Sequence, residues 1–238
     1  MRVSIVIPCY QNQDQLNDTV GRILTSVEEI TDRHFELILV DDCSTDNTWN
    51  KINKLSAQYN EVSGIRLKQN IGAYNAILQG FEKSTADSIL IMAADGDDPP
   101  ALIPELIQLY SEKTEAVLAI RASSEKGLFS ILTSRIFIAT LKLCRANNVF
   151  LGGSDFMLVS KRLIDKCASE GWKSGNTLVQ LIQKAKEVKT IAYTKGRSKP
   201  STWSFGKKLK LFLQTVNQFI PLPGVKGPAK QSETAETC

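Results

Sequence analysis

The stretch Ser88-Ile89-Leu90-Ile91-Met92-Ala93-Ala94-Asp95-Gly96-Asp97-Asp98-Pro99-Pro100 decides how this chain is read. It opens as an apolar run of the kind buried on both faces of a parallel sheet. It closes with three carboxylates in four residues and a double proline. A strand of this type delivers its last residues to the carboxyl edge of the sheet, where open α/β folds bind ligands. Three acids crowded at that edge repel one another. A divalent cation offsets the repulsion, and oxygen ligands of this kind suit Mg2+ or Mn2+ shared with phosphate. The same residues also read as a solvated acidic turn before a helix, since acids favour helix N-termini. On this stretch alone both readings stand.

Working outward, the preceding residues alternate strand and helix. Val3-Ser4-Ile5-Val6-Ile7-Pro8 is a β-branched run closed by proline. Asn12, with Gln15 three residues on, is a candidate cap for a helix whose Leu16, Val20, Ile23, Leu24, Val27 and Ile30 recur at helical spacing. Phe35-Glu36-Leu37-Ile38-Leu39-Val40 is a second strand running into the polar turn Asp41-Asp42-Cys43-Ser44-Thr45-Asp46-Asn47-Thr48. A helix carrying Trp49, Ile52 and Leu55 follows, then a short strand at Ile65-Arg66-Leu67 and a loop-to-helix transition at Asn70-Ile71-Gly72. Downstream, Pro99 and Pro100 suit a helix start, and Ala116-Val117-Leu118-Ala119-Ile120 is another buried strand. Short connections between alternating elements imply a mainly parallel sheet with right-handed crossovers. Beyond residue 121 the pattern loosens. A long helix is expected over 128–146, a glycine turn and strand over 152–159, helices near 161–170 and 177–186, and a strand over 188–193.

Composition places few limits on this picture. The 238 residues, 42% of them apolar and 23% charged, allow one large α/β domain. The net charge of +4 is uneven: nine Lys and Arg and no acid lie in 188–232, so the remainder is acidic. Five cysteines form no CxxC pair and no metal-ligand spacing. An odd number of them without a signal peptide reads as reduced thiols in the cytoplasm. His34 is the only histidine and precedes a strand, so a histidine-based nucleophile system is not expected. No apolar run reaches the roughly 18–20 residues of a spanning helix.

Two acidic turns, Asp41-Asp42 and Asp95-Gly96-Asp97-Asp98, thus stand at strand ends on one edge of the sheet. Such a pocket can hold a nucleoside diphosphate, one turn reading base or ribose while the other holds a metal against pyrophosphate. Read locally, Asp41, Ser44 and Asp46 also fit as helix caps, and Asp155 as a turn residue satisfied by backbone N–H groups.

Five segments in order resemble glycosyltransferase family 2, over residues 1–215. They are Val3-Ser4-Ile5-Val6-Ile7-Pro8-Cys9-Tyr10, Val40-Asp41-Asp42-Cys43-Ser44-Thr45-Asp46-Asn47-Thr48, Asn70-Ile71-Gly72, Asp95-Gly96-Asp97-Asp98-Pro99-Pro100 and Gly153-Ser154-Asp155-Phe156-Met157-Leu158. Within that family the likeness is to the dolichyl-phosphate mannosyltransferase and polyprenyl-phosphate glycosyltransferase branch. Arg197, Ser201-Thr202-Trp203 and Lys207-Lys208-Leu209-Lys210-Leu211 resemble its basic loop and juxtamembrane helix. The resemblance implies a GT-A fold and inverting transfer of a sugar from a nucleoside-diphosphate sugar, assisted by Mg2+ or Mn2+, to a lipid-phosphate or glycan acceptor. It implies that Pro8, Tyr10 and Asp42 line the base pocket. Asn70, Gly72, Ala94 and Arg197 would complete the nucleotide-sugar site, Arg197 meeting phosphate. Asp95 would bind the metal with Asp97 as helper, and Asp155 would be the acid near the acceptor, serving as general base for a hydroxyl.

Three positions depart from the branch. Ala93 stands where its Asp-x-Asp begins, Met157 where an arginine is usual, and Ala73 where a lysine is usual. These departures keep a second reading in view, a non-catalytic sugar-nucleotide-binding subunit that regulates a partner. Slow donor hydrolysis without acceptor separates the two, because only a transferase shows it. A receiver-like phosphoacceptor domain also groups acids at strand ends, but it needs about half this length and a lysine on a later strand.

The expected organisation is a GT-A domain over 1–205, a basic amphipathic helix over 206–220, and a polar tail without regular structure over 221–238. Leu209, Phe212, Leu213, Val216 and Ile220 recur on one helical face, with Lys207, Lys208 and Lys210 at its start. The expected location is cytoplasmic and peripheral on the inner membrane face, without nucleic-acid partners. Each lysine adds about 1 kcal/mol of attraction to anionic lipid. The alternative docks this face on the domain body. Liposome co-sedimentation distinguishes them: binding to anionic but not neutral vesicles, weakened by salt and by changing the three lysines to glutamine, is the outcome expected.

Overall fold

The computed structural model describes residues 1–28, 30, 32, 34–121, 155–172, 176–193 and 235–237. Its strands are β1 (Arg2–Cys9), β2 (His34–Asp41), β3 (Val62–Leu67), β4 (Ser88–Ile91), β5 (Ala116–Arg121), β6 (Met157–Ser160), β7 (Val188–Tyr193) and β8 (Ala235–Thr237). The helices are α1 (Leu16–Glu28), α2 (Thr48–Gln58), α3 (Ala73–Lys83), α4 (Ile103–Leu109), α5 (Lys161–Ser169) and α6 (Thr177–Lys184), with a 3-10 turn at Pro100–Leu102 leading into α4.

All eight strands join one sheet in the order β7-β5-β6-β4-β1-β2-β3-β8. β1 pairs in parallel with β2 on one side (Ile5 opposite Leu37) and β4 on the other (Ile5 opposite Leu90). β2 with β3 and β5 with β7 are also parallel. The parallel alternation read from the first 120 residues is therefore the architecture found. β6 differs: it runs antiparallel to both β4 and β5. Reversal matters for function, because it brings the start of β6, not its end, to the edge where β4 ends.

Helices cover both faces, as fully apolar strands require. On one face α1, α2 and α4 pack over Val3, Ile5, Ile7, Leu37, Leu39 and Leu90. On the other, α3, α5 and α6 pack over Val6, Ile38, Val40, Ile89 and Ile91. α3 reaches β1 through Gly80, where a Cβ would lie 2.3 Å from Val6 Cγ1.

Several local expectations need correction. Asn12 does not cap α1 with its side chain. Its Oδ1 accepts the Tyr10 N–H at 2.7 Å, and its carbonyl accepts the Leu16 N–H at 3.1 Å. The short side chain bonds locally here in preference to the helix start. Asn47 occupies the N-cap position of α2 with no side-chain cap bond of its own, but Asp46 Oδ1 does accept the N–H of Thr48, the first residue of α2, at 3.0 Å, whereas Ser44 turns elsewhere. Within the tail, Ala235–Thr237 pairs antiparallel with β3, so the absence of regular structure expected over 221–238 does not hold for those three residues. The expected helix over 128–146, the glycine turn at 152–154, Arg197 and the amphipathic helix over 206–220 lie outside the described residues.

Gly80→Ala tests the close approach of α3 to β1. Alanine raises helix propensity by about 1 kcal/mol, but overpacking a tight contact costs about 1–3 kcal/mol. The Cβ would also fall within 3.3 Å of Val6 Cβ and Cγ2, atoms that a buried β-branched side chain cannot swing aside. The clash should win by about 1–2 kcal/mol, read as a lower urea midpoint. An unchanged or higher midpoint would mean that α3 shifts off β1 without cost.

Candidate functional site

Because β1, β2, β3 and β4 are parallel, the residues that follow them gather at one edge. Tyr10 follows β1, Asp42 follows β2, the loop 70–72 follows β3, and the turn 93–98 follows β4. Asp155 precedes the reversed β6 by two residues. Its register, Met157 opposite Ile91, sets it at the same edge. Tyr193 closes β7 there as well. The structure thus brings together Pro8, Tyr10, Asp42, Asn70, Gly72, Ala94, Asp95, Asp97 and Asp155.

The turn after β2 is a clasp. Ser44 Oγ accepts the Gln11 N–H (3.0 Å), Thr48 Oγ1 accepts the Asn12 N–H (2.8 Å), and Asp46 Oδ2 accepts the Gln13 N–H (3.3 Å). Gln13 Oε1 answers by accepting the Asn47 N–H at 3.0 Å. Burial opposes ionisation of Asp46, but hydrogen bonds from Thr48 and Gln13 outweigh it and hold the carboxyl below its usual range. Small polar side chains that look like helix caps in the sequence therefore satisfy the backbone of the loop after β1. Gln11 (φ 56°) and Cys43 (φ 58°) both adopt the left-handed conformation inside this clasp. It presents Tyr10, 43% exposed and the large hydrophobic side chain most open to solvent among the described residues.

Asp41 and Asp42 are adjacent, both essentially buried, and served differently. Asp41 Oδ1 accepts the Ser44 N–H (3.2 Å), while Oδ2 faces Arg66 Nε at 3.4 Å. The Arg66 guanidinium lies over the Trp49 ring, 5.8 Å from its centroid. Asp42 turns the other way. Its Oδ1 accepts the Ile71 N–H (2.7 Å), its Oδ2 the Gly72 N–H (2.8 Å), and its carbonyl the Asn70 side-chain amide (3.2 Å). Gly72, at φ 87°, gives the loop the sharp bend that aims two successive amides at one carboxylate. Burial lifts the Asp42 carboxyl above its ordinary value. The two amide bonds pull it down and the Asp41 charge pushes it up, with a net rise. A raised folded-state value stabilises the protonated fold: that contribution is complete below the unfolded-state value and disappears as pH climbs through the raised one. Ionising Asp42 in the fold is thus opposed by burial and by the Asp41 charge, and favoured by the two amides. Cys9, opposite Asp41 in the β1–β2 pairing, is pushed up by burial and by the Asp41 charge and remains a thiol.

The turn after β4 divides its acids. Asp95 is exposed, and its Oδ1 accepts the Asp97 N–H (3.0 Å) in a local turn bent by Gly96 at φ 75°. Asp98 is 5% exposed and folds inward: Oδ2 accepts the Ala93 N–H (3.0 Å) and Oδ1 the Tyr193 hydroxyl (3.3 Å). Ala94 is buried, and its carbonyl accepts the Thr19 hydroxyl of α1 at 3.2 Å. Among the described residues, no three His, Cys, Asp or Glu side chains gather as a metal cage. Asp95 and Asp97 instead fit the mode in which one or two carboxylates hold a hard cation that completes its shell with water and substrate phosphate.

Asp155 is exposed at the start of β6. Its charge reaches Tyr74 in the first turn of α3, whose phenol is lifted far above its usual range first by burial and then by Asp155. Met157, by contrast, is 1% exposed and packs among the side chains beneath α3, α5 and α6, so this position presents nothing to the edge. Arg66, Tyr74, Tyr193 and Asp98 escaped sequence reading as site residues. Only Asp98 carried a local signal, its place in the acidic turn.

The profile of glycosyl transferase family 2 matches residues 4–167. An undecaprenyl-phosphate 4-deoxy-4-formamido-L-arabinose transferase of Shewanella sediminis is 38% identical over 141 residues, covering 59% of this chain and 42% of the relative. A dolichol-phosphate mannosyltransferase of Pyrococcus furiosus is 32% identical over 121 residues, covering 51% of this chain and 33% of the relative. The chain therefore spans less than half the length of either relative. Among solved structures, a mannosyltransferase from Pyrobaculum calidifontis in complex with GDP-Man and Mn2+ superposes with a TM-score of 0.66 at 14% identity, over 95% of this chain and 65% of that one.

The Asp42 clamp makes a measurable claim. Asp42→Asn removes a costly buried charge but sets an amide group against one of the two backbone N–H groups. Losing one hydrogen bond to a charged group costs about 1.5–3 kcal/mol, and relief of the buried charge offsets part of it. Hydrogen exchange at Ile71 or Gly72 should accelerate while the denaturation midpoint moves little. Unchanged exchange at both amides would show that the loop holds itself.

Proposed function

This chain belongs to glycosyl transferase family 2, and from that premise we propose that it transfers a sugar, with inversion, from a nucleoside-diphosphate sugar to a polyprenyl phosphate or related acceptor at the cytoplasmic face of a membrane. The observation that carries the reading is the gathering of Tyr10, Asp42, Asp95, Asp97 and Asp155 at one edge of the sheet. Tyr10 offers a ring for stacking on the base. Asp42, clamped by Ile71 and Gly72, retains a lone pair on each oxygen for base N–H groups. Polyprenyl-phosphate and dolichol-phosphate enzymes among the relatives support a lipid-phosphate acceptor.

The chemistry requires little of the protein. As the acceptor oxygen bonds to the anomeric carbon from one face, the bond to the diphosphate breaks on the other, and its electron pair leaves with the diphosphate. Asp95 and Asp97 would hold a divalent cation, which would supply charge stabilisation for that leaving group. A phosphate acceptor brings its own oxyanion. A hydroxyl acceptor needs a base, and Asp155 is the carboxylate exposed at the right edge to take the proton. Asp42 fixes the base, and the clasp between the loops after β1 and β2 fixes Tyr10. No helix among the described residues is long and apolar enough to cross a membrane. Contact with lipid would run through the basic segment 207–220, and Arg197 is the candidate for meeting phosphate.

A thermal-shift screen of UDP-, GDP- and dTDP-sugars with and without Mn2+ tests the reading. A ligand at 100 times its Kd stabilises by about 2.7 kcal/mol, so the matching nucleotide should stand out and need the metal. Asp95→Asn should abolish that Mn2+-dependent shift and turnover together. Asp42→Ala should weaken nucleotide affinity by about 1–3 kcal/mol and leave metal dependence in place. A Mn2+-dependent shift of normal size in Asp95→Asn would remove the acidic turn as the metal site.

A further inference from the structure

Asp98 sits one residue from Asp97 and three from Asp95, yet its surroundings set it apart. The carboxylate is buried, 5% exposed, and it accepts the N–H of Ala93 at 3.0 Å and the hydroxyl of Tyr193 at 3.3 Å. The first bond closes the turn on itself, tying residue 98 back to the end of β4. The second crosses the sheet edge, since Tyr193 is the last residue of β7, separated from β4 by β5 and β6. Tyr193 is itself 5% exposed and packs edge-on against Phe156, with ring centroids 6.2 Å apart and planes at 83°. Phe156 is fully buried, follows Asp155 directly, and its carbonyl accepts the Ala119 N–H at 3.0 Å. Hence one buried carboxylate joins the end of β4, the end of β7 and the start of β6.

The geometry points to Asp98 and Tyr193 as a pair of positioning residues that set Asp95 and Asp97 for metal, without themselves touching it. This rests on the nucleotide-sugar reading above. Asp98 has its two oxygens aimed at protein donors on opposite sides. The Ala93 bond fixes where the chain enters the turn, and Gly96 at φ 75° fixes how it bends at the tip. With both set, the path of the backbone that carries Asp95 is fixed at its entry and its tip. Removing the Asp98–Tyr193 bond would detach the turn from β7, while the Ala94 carbonyl keeps the Thr19 hydroxyl of α1. The same bond holds the end of β7, four residues before Arg197, in register with the acidic turn. Tandem acids that look equivalent in the sequence thus take separate tasks: Asp97 would serve the cation, and Asp98 serves the fold.

The test uses the full chain, loaded with GDP or UDP, titrated with Mn2+ and followed by the free Mn2+ paramagnetic resonance signal. Asp98→Asn and Tyr193→Phe should each weaken Mn2+ binding by about 10- to 100-fold, the range for losing support behind a metal ligand, while nucleotide affinity without Mn2+ stays unchanged. The double variant should be no weaker than Asp98→Asn alone, because both changes break one device. Asp95→Asn should eliminate binding. Should Asp98→Asn fold poorly, Tyr193→Phe carries the test, since it deletes one oxygen and keeps the ring against Phe156. If Tyr193→Phe binds Mn2+ as the unaltered protein does, or if Asp98→Asn eliminates binding as fully as Asp95→Asn while Tyr193→Phe is silent, the positioning role is overturned and the nucleotide-sugar reading survives. If the unaltered protein binds no Mn2+ with either nucleotide, both fall.

Discussion

The structure depends on the burial of β1. Val3, Ile5, Val6, Ile7 and Cys9 have no exposed surface, and helices cover the strand from both faces. Fully burying each large side chain contributes about 1.5–3 kcal/mol, so the four aliphatic residues supply an amount comparable with the net stability of a typical domain. No polar side chain can take part in ligand chemistry from such a strand. Its one internal polar side chain, Ser4, is fully buried and bonded to Ser84, and the parallel register with β2 and β4 sends the corresponding ends of its neighbours to the same edge. The site is where it is because the core leaves no other place for it.

That edge would be unstable if its acids were left to repel one another. The fold disposes of three of them by giving each carboxylate its own donors. Asp41 is met by Arg66 and the Ser44 amide, Asp42 by the amides of Ile71 and Gly72, and Asp98 by Ala93 and Tyr193. Each solution also fixes a piece of chain. Arg66 ties β3 to the turn after β2, Asp42 draws in the loop before α3, and Asp98 holds the turn after β4. Charge neutralisation and loop placement are one event at each position, so these side chains cannot be exchanged for merely polar ones without moving backbone.

Much of this was legible in the sequence, and the limits have physical causes. The parallel alternation of residues 1–120 shows in periodicity because apolar strands and amphipathic helices leave different spacings. The edge location of Asp42 and Asp95 follows from their place after apolar runs. The reversal of β6 could not be read, since strand direction depends on which neighbour a strand finds across the sheet, and Gly153 to Leu158 carries no local mark of it. Ser44, Asp46 and Thr48 have the composition of helix caps, and composition cannot tell that Ser44 and Thr48 turn to the loop after β1 while Asp46 divides its oxygens between that loop and the first N–H of α2. Asn12 misled for the same reason, its oxygen serving Tyr10 in preference to α1. Tyr193 had only its position at the end of a strand to distinguish it, and its partner lies 95 residues away.

Counting the charges at the edge sharpens the proposed metal chemistry. Asp41, Asp42 and Asp98 are 0%, 1% and 5% exposed and are bonded to protein donors. Asp95 and Asp97 keep solvent-accessible surface in the turn after β4, and Asp155 stands on a different strand at the start of β6. On the proposed reading, Asp95 and Asp97 together carry the charge that one divalent cation balances. They supply too few ligands for an all-protein cage, and the described residues gather no third side chain of the right type. A hard cation prefers about six oxygen ligands, so on the proposed reading most of its shell must come from water and from the diphosphate. Affinity for metal and affinity for nucleotide are then parts of one equilibrium, each raising the other by the same factor. Ala93 fits the same reading: its backbone N–H anchors Asp98, and on that reading the nucleotide would supply the ligands its side chain lacks.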